Sequence, residues 1–227
     1  MSPKLQFDVI TLFPALIEGF AQETIIGRAV RNDLIRIQAH NLRNWAVGTQ
    51  QMTDDRPFGG GAGMVLKPEP LFEAIESVST KETTVIYMSP DGEPLTTPLA
   101  KELANEVHLV VLSGHYEGID QRVRDEKVDR EISIGDYILT NGTLACAVMI
   151  DAVARFVPGV LGKEESLNQD AFSDDLLGHP QYTRPAEYKG LKVPEVLLSG
   201  HHENITKWRQ NLREEKTRQR RPDLLTR

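Results

Sequence analysis

Cysteine is almost missing from this chain: Cys146 is the single one in 227 residues. That excludes an internal disulfide and any cysteine-held zinc, and leaves Cys146 a core-packing role. Nowhere does an apolar run approach the ~20 residues that span a bilayer. The start, "MSPKLQFDVITLFP", has no apolar signal core followed by a small-residue cleavage site, so a cytoplasmic protein with no membrane partner is expected. The histidines show no metal-ligand spacing. His201 and His202 are adjacent, so their rings diverge, and no metal ligand is expected. Low-complexity tracts and internal repeats are also absent.

What is present is an ordinary globular balance, 40% hydrophobic and 26% charged, on a chain long enough for one large domain and a small appendage. The net charge of −7 argues against nucleic acid until its distribution is considered. Residues 205–227 hold eight Lys and Arg against three Asp and Glu, so the tail carries +5 and the remainder −12. A basic end on an acidic body is either a footprint for phosphate or a solvated helix face.

Periodicity predicts strands and helices in alternation. "FDVITLF" (7–13) reads as a buried strand. Pro14 opens a helix through about Leu34, with Leu16, Ile17, Phe20 and Ile25 as its apolar stripe. Strands are expected at 35–40, 84–92, 108–120 (ending in a small-residue turn) and 130–139, and helices at 67–78, 97–106, 120–128 and 144–157. Such alternation implies an α/β fold, a parallel sheet with helices on both faces. Residues 162–181 are polar and weakly periodic, as in a linker or lid. A final helix is expected over 199–221, packed through Ile205, Trp208 and Leu212 and stopped by Pro222.

"DDRPFGGGAGM" (54–64) is too poor in the right neighbours to bind nucleotide phosphates. Gly63 is followed by Met64 rather than Lys-Ser/Thr, and no strand precedes the run, so it is neither a P-loop nor a dinucleotide fingerprint. Backbone that turns freely and permits close approach remains. Three predicted strands each deliver a small-residue turn: "SPDG" (89–92), "SGHYEG" (113–118) and "SIGDYILTNG" (133–142). In open parallel sheets ligands sit at the carboxyl ends of strands. Gly114, Gly118, Gly135 and Gly142 would free backbone groups for a nucleoside-sized ligand, with Met88, Ile134 and Leu139 sandwiching a flat ring.

These stretches, with "IDAVARFVPGVLG", "YTRPAEYKGLKVPEVLLSGHH" and "KWR", run in order along the whole chain. In them the sequence resembles the bacterial tRNA (guanine-N1)-methyltransferases, the TrmD family of SPOUT methyltransferases. The resemblance implies transfer of a methyl group from S-adenosylmethionine (AdoMet) to N1 of guanosine 37, next to the tRNA anticodon. It also implies a deep trefoil knot over roughly residues 85–145, which chain-topology rules alone would not yield, and a homodimer with interface active sites. The corresponding domains are an AdoMet-binding body (1–161), a linker or lid (162–176) and a small helical tRNA-binding domain (177–227) that clamps the anticodon arm.

Carried onto this chain, the cofactor residues are Tyr87, Met88, Ser89 and Pro90, then Gly114 and Glu117, then Ser133, Ile134, Gly135, Asp136, Tyr137, Ile138, Leu139, Asn141 and Gly142. Asp170 of "NQDAF" is the implied general base and Arg155 its electrostatic support, with Glu117 and Asp136 as rival bases. Tyr116 and Tyr137 read as packing or stacking groups. Substrate contacts are expected at Arg56, Gly60, Ser166, Gln181, Lys207 and Arg209. The family reaction is aided by magnesium, but no motif here forms a magnesium cage. Two departures stand out. "NGTLA" (141–145) replaces the family's Gly-Gly-Glu-Leu-Pro, and Gln181 replaces a histidine. A related enzyme acting on another RNA, and a non-catalytic RNA- or nucleotide-binding module, are the alternative readings.

Overall fold

A computed structural model describes residues 3–162 and 171–226. They fall in two compact units, 1–162 and 163–227 by residue range. The first is built on a five-stranded sheet of order β2-β1-β6-β5-β7, every pair parallel. Its strands are β1 (Leu5–Thr11), β2 (Ile35–Asn41), β5 (Thr83–Pro94), β6 (His108–Ser113) and β7 (Arg130–Ser133). Two-residue strands β3 (Asp54–Asp55) and β4 (Val65–Leu66) pair antiparallel at the flanks of the glycine run.

Successive residues of a strand point to opposite faces, and here both faces are covered, so the strands read as continuous apolar runs. Leu5, Phe7 and Val9 of β1 join Leu109 and Val111 of β6 on one face. That face lies under α1 (Pro14–Gln22), α2 (Thr24–Arg31), α4 (Thr97–Leu103) and α6 (Thr143–Ala154). Ile10, Val110 and Leu112 occupy the other, under α3 (Pro68–Val78) and α5 (Gln121–Lys127). Cys146 is wholly enclosed in the first core, and burial pushes its thiol pKa well up.

The single helix expected over 14–34 is two. The chain turns at Glu23 and Thr24, the latter at φ +58°. Gly27 then lies so close to the end of α1 that an added Cβ would be 2.2 Å from the Gln22 carbonyl oxygen. The break resets the helical phase. Ile17 and Ile26 are buried, whereas Leu16 and Ile25 of the expected stripe are exposed. The strand expected over 130–139 stops at Ser133, and the helix expected over 144–157 spans Thr143–Ala154.

In the second unit, α8 (His202–Arg220) is the longest element, followed by a 3-10 turn at Pro222–Thr226. Before it come a hairpin, β8 (Glu187–Tyr188) with β9 (Leu191–Lys192), and a single turn, α7 (Glu195–Leu198). Ile205, Trp208 and Leu212 are half-buried along one stripe of α8. Residues 174–178 are held to the same helix. The Leu177 N–H donates to Thr217 Oγ1 at 2.9 Å, Lys216 Nζ donates to the Gly178 carbonyl at 3.0 Å, and Arg213 pairs with Asp174.

Candidate active site

The three glycine-bearing loops do not project independently. The first is an excursion within β5 rather than a turn ending it. Met88 and Glu93 both register with Ile132 of β7, so residues 89–92 bulge out and the strand resumes. Gly92 lies flat on β7, where an added Cβ would be 2.4 Å from the Ile132 nitrogen. The second loop follows β6. An added Cβ on Gly114 would meet Tyr87 Oη at 2.8 Å, and Tyr116 and Gly118 take positive φ. The third, after β7, begins at Gly135 (φ +145°) and returns to the second. The Gly142 N–H donates to the Gly114 carbonyl at 2.8 Å, and an added Cβ on Gly142 would sit 2.9 Å from the Gly114 nitrogen. Beneath that contact, the buried Thr143 hydroxyl lies 2.8 Å from Thr11 Oγ1 and 3.0 Å from Ser113 Oγ. These bonds tie the start of α6 to the carboxyl ends of β1 and β6.

The loops enclose a cavity of about 450 Å³, within the ~300–1,000 Å³ range of small-molecule sites. Tyr87, Met88, Ser89 and Pro90 line it from the first loop, and Gly114 and Glu117 from the second. Ser133, Ile134, Gly135, Tyr137, Ile138, Leu139, Asn141 and Gly142 line it from the third. Asp136 does not, and it is exposed. Asn141, at the first departure from the family pattern, accepts from the Thr143 N–H at 3.0 Å, one residue before Gly142, the N-cap position of α6.

Of the lining residues that escaped the sequence reading, two carry polar or charged groups of consequence, His115 and Arg124. His115 packs edge-on against Phe13 at 5.2 Å, and its buried Nδ1 has no hydrogen-bond partner among the described residues. Arg124 forks onto Glu131 at 2.8 and 2.7 Å, reaches Asp91 at 3.1 Å, and lies 5.7 Å above the Tyr87 ring. It thereby fixes the first bulge to β7 and α5, and Glu131 above all holds its guanidinium pKa above the ordinary value. Burial raises the Tyr87 phenol, with Arg124 opposing. His115 stood in plain view inside "GHYEG". Arg124 was hidden, because "DQRVRDEKV" reads as a charged helix surface.

Among the described residues, none of the remaining expected ones lines this cavity. Gly60 is on an exposed loop with Gly59 and Gly61, all at positive φ with open space around them, while Gly63 abuts Glu117. Arg56, on the same loop, is exposed. Arg155 caps the far end of α6 from the cavity. Gln181 and Arg209 line a second cavity, of about 370 Å³, inside the C-terminal unit, whereas Lys207 on α8 is exposed outside it. Asp170 and Ser166 lie outside the described residues. Among those described, no three or more His, Cys, Asp or Glu are grouped to hold a metal, and no helix is long and apolar enough to cross a membrane.

A doubly covered parallel sheet with a loop-built, glycine-lined cavity at its strand ends defines an α/β protein with the kind of site that suits a small ligand. Comparison with known proteins narrows this. The family model described as tRNA (Guanine-1)-methyltransferase TrmD matches residues 5–227. A tRNA (guanine-N(1)-)-methyltransferase of Ruminiclostridium cellulolyticum is 51% identical, over 97% of this chain and 96% of its own. Those of Geotalea uraniireducens (51%; 98% and 91%) and Chloroflexus aggregans (50%; 98% and 88%) are similar to nearly the same extent. The chain belongs to the TrmD family.

Proposed function

We propose that this chain methylates N1 of guanosine 37 in tRNA, with AdoMet as donor. The observation that carries the reading is the convergence of three loops on one cavity, in a chain that belongs to the TrmD family over nearly its whole length. The residues fit the donor. Gly114 and Gly142 leave a cradle that a Cβ would fill, Met88, Ile134 and Leu139 offer apolar walls to a flat ring, and His115 Nδ1 is a polar atom awaiting a partner. When bound, AdoMet supplies a methyl carbon made electrophilic by its sulfonium. The family's knot over residues 85–145 is supported by the return of the third loop onto the second.

Guanine N1 is protonated at neutral pH and is a poor nucleophile until that proton leaves. Asp170 accepts it, in the role of general base. Arg155 offsets the negative charge that builds toward O6. Ala145 in the first turn of α6 lines the cavity, and the helix carries Arg155 about 15 Å away from it along the axis. Arg155 therefore serves the cavity of a second copy, in a homodimer with interface active sites. Exposed apolar side chains beside the cavity fit such an interface: Ile138 (79%), Tyr137 (55%), Leu144 and Val148, one turn apart on α6. The C-terminal unit supplies Lys207, Arg209, Arg218 and Arg220 to the anticodon arm. None of the four side chains has a hydrogen bond or ion pair with a described residue.

The test is methyl transfer from labelled AdoMet to an unmodified tRNA transcript, with the product nucleotide mapped. Methylation at guanosine 37 is expected. Asp170→Asn is expected to slow turnover by about 10²–10⁴-fold while AdoMet binding stays as in the wild type. A product at another nucleotide would overturn the substrate assignment, and an active Asp170→Asn would move the base elsewhere.

A further inference from the structure

The second cavity lies wholly within the C-terminal unit; two of its lining residues, Gln181 and Arg209, are among the expected tRNA contacts, but none of them takes part in the methyl-transfer chemistry itself. Its composition is one-sided. Arg184 and Arg209 line it, no Asp or Glu does, and the walls between are Val193, Leu197 and Ile205, with Tyr182 at the side. Three other cations of this unit are engaged, Arg213 with Asp174, Lys216 with the Gly178 carbonyl and Arg221 with Asp223, and the unpaired Lys207, Arg218 and Arg220 do not line the cavity. The side chains of Arg184 and Arg209 have no hydrogen bond or ion pair with any described residue. Two guanidinia left without an anion beside an apolar hollow match a ligand with a negative group and a flat apolar face.

We propose that this cavity holds one unstacked nucleotide of the tRNA, its phosphate on Arg184 and Arg209 and its base against Tyr182, Val193 and Leu197. The inference rests on the tRNA reading above. Arginine forks match phosphate oxygens in a plane. Splayed bases of single-stranded loops settle on aromatic and apolar side chains at little sequence cost. A phosphate held at the rim alone would leave the apolar walls unused. An acidic peptide would satisfy the arginines, but the substrate of a TrmD-family chain is RNA.

The experiment measures equilibrium binding of the full-length protein to an unmodified tRNA transcript across a salt series, with AdoMet affinity measured in parallel. Arg184→Gln and Arg209→Gln are expected to weaken tRNA binding about tenfold each and to lower the salt slope by about one. Tyr182→Ala, at an exposed position, is expected to weaken it about tenfold with the slope unchanged, since no charge is removed. Leu197→Trp, which fills the cavity, should act in the same direction. AdoMet affinity is expected to stay at the wild-type value in all four. Wild-type tRNA binding by both arginine variants would overturn the proposal. So would arginine effects accompanied by wild-type binding of Tyr182→Ala, which would leave only a rim phosphate contact. Wild-type protein that fails to methylate tRNA guanine would instead sink the activity itself, a different result from an active enzyme indifferent to these substitutions.

Discussion

The two units of this chain are stabilised by different means. Every hydrophobic side chain buried among the described residues, apart from Leu224, belongs to the N-terminal unit. Its sheet is enclosed on both faces, and even its interior charge is satisfied. Asp8, only 2% exposed, receives hydrogen bonds from Gln6, His40 and His108, and His108 in turn meets Thr83 Oγ1 at 2.7 Å. In the C-terminal unit Tyr188, Leu191 and Leu198 stand 61–76% exposed, and 174–178 is joined to α8 by hydrogen bonds and one ion pair. Such contacts contribute only about 0.5–1.5 kcal/mol each, and a half-exposed pair less. Where the body has used its apolar surface to fold, the appendage keeps much of its own available to a partner.

The largest effect that sharpens this contrast is expected from Phe7→Ala. Deleting a fully buried ring costs about 3–5 kcal/mol, so the main denaturation midpoint should drop steeply. A change under 1 kcal/mol would break the comparison.

Asp8→Asn comes next, at about 1–3 kcal/mol, because it leaves buried imidazole groups imperfectly paired. Its pH dependence follows from the direction of the shift. Burial pushes the Asp8 carboxyl up, but the bonds from His40, Gln6 and His108 outweigh it and hold it below the ordinary 3.8. The carboxylate's contribution is therefore complete above about pH 4 and is lost as pH falls through the depressed folded value. Urea midpoints of wild type and variant should differ at pH 7 and converge in acid as the carboxyl becomes protonated. An undiminished gap in acid would place the effect elsewhere.

The smallest effect is expected in the other unit. Leu198→Ala removes a side chain already 61% exposed, so the denaturation midpoint should shift by no more than about 0.5 kcal/mol. A loss comparable to that of Phe7→Ala would mean that the C-terminal unit depends on burial after all.

Much of this was legible in the residues alone. The apolar runs at 7–13 and 108–113, the Pro-started helices and the glycine turns after strands mark a parallel α/β sheet, since a strand covered on both faces has no polar side to show. The stripe Ile205, Trp208, Leu212 was equally plain, because α8 packs through one side only. Local pattern failed at two places. The turn at Thr24, set by the close approach of Gly27 to Gln22, shifted burial from Ile25 to Ile26. The pairing of β5 with β7 carried one strand through "SPDG" as a bulge, and that pairing does not depend on its own neighbours in the chain.

The sequence by itself determined the alternation of elements, the family, and which loops bear the small residues that a nucleoside-sized ligand needs. Periodicity and backbone freedom are local properties, so they survive without a fold. The tertiary structure alone decided that the three loops share one cavity, through contacts such as Gly142 on Gly114 and Thr143 between Thr11 and Ser113. It also decided that Arg124 fastens the first loop and that Arg184 and Arg209 meet at a second hollow. Those pairings join residues distant in the chain, and only packing brings them within reach.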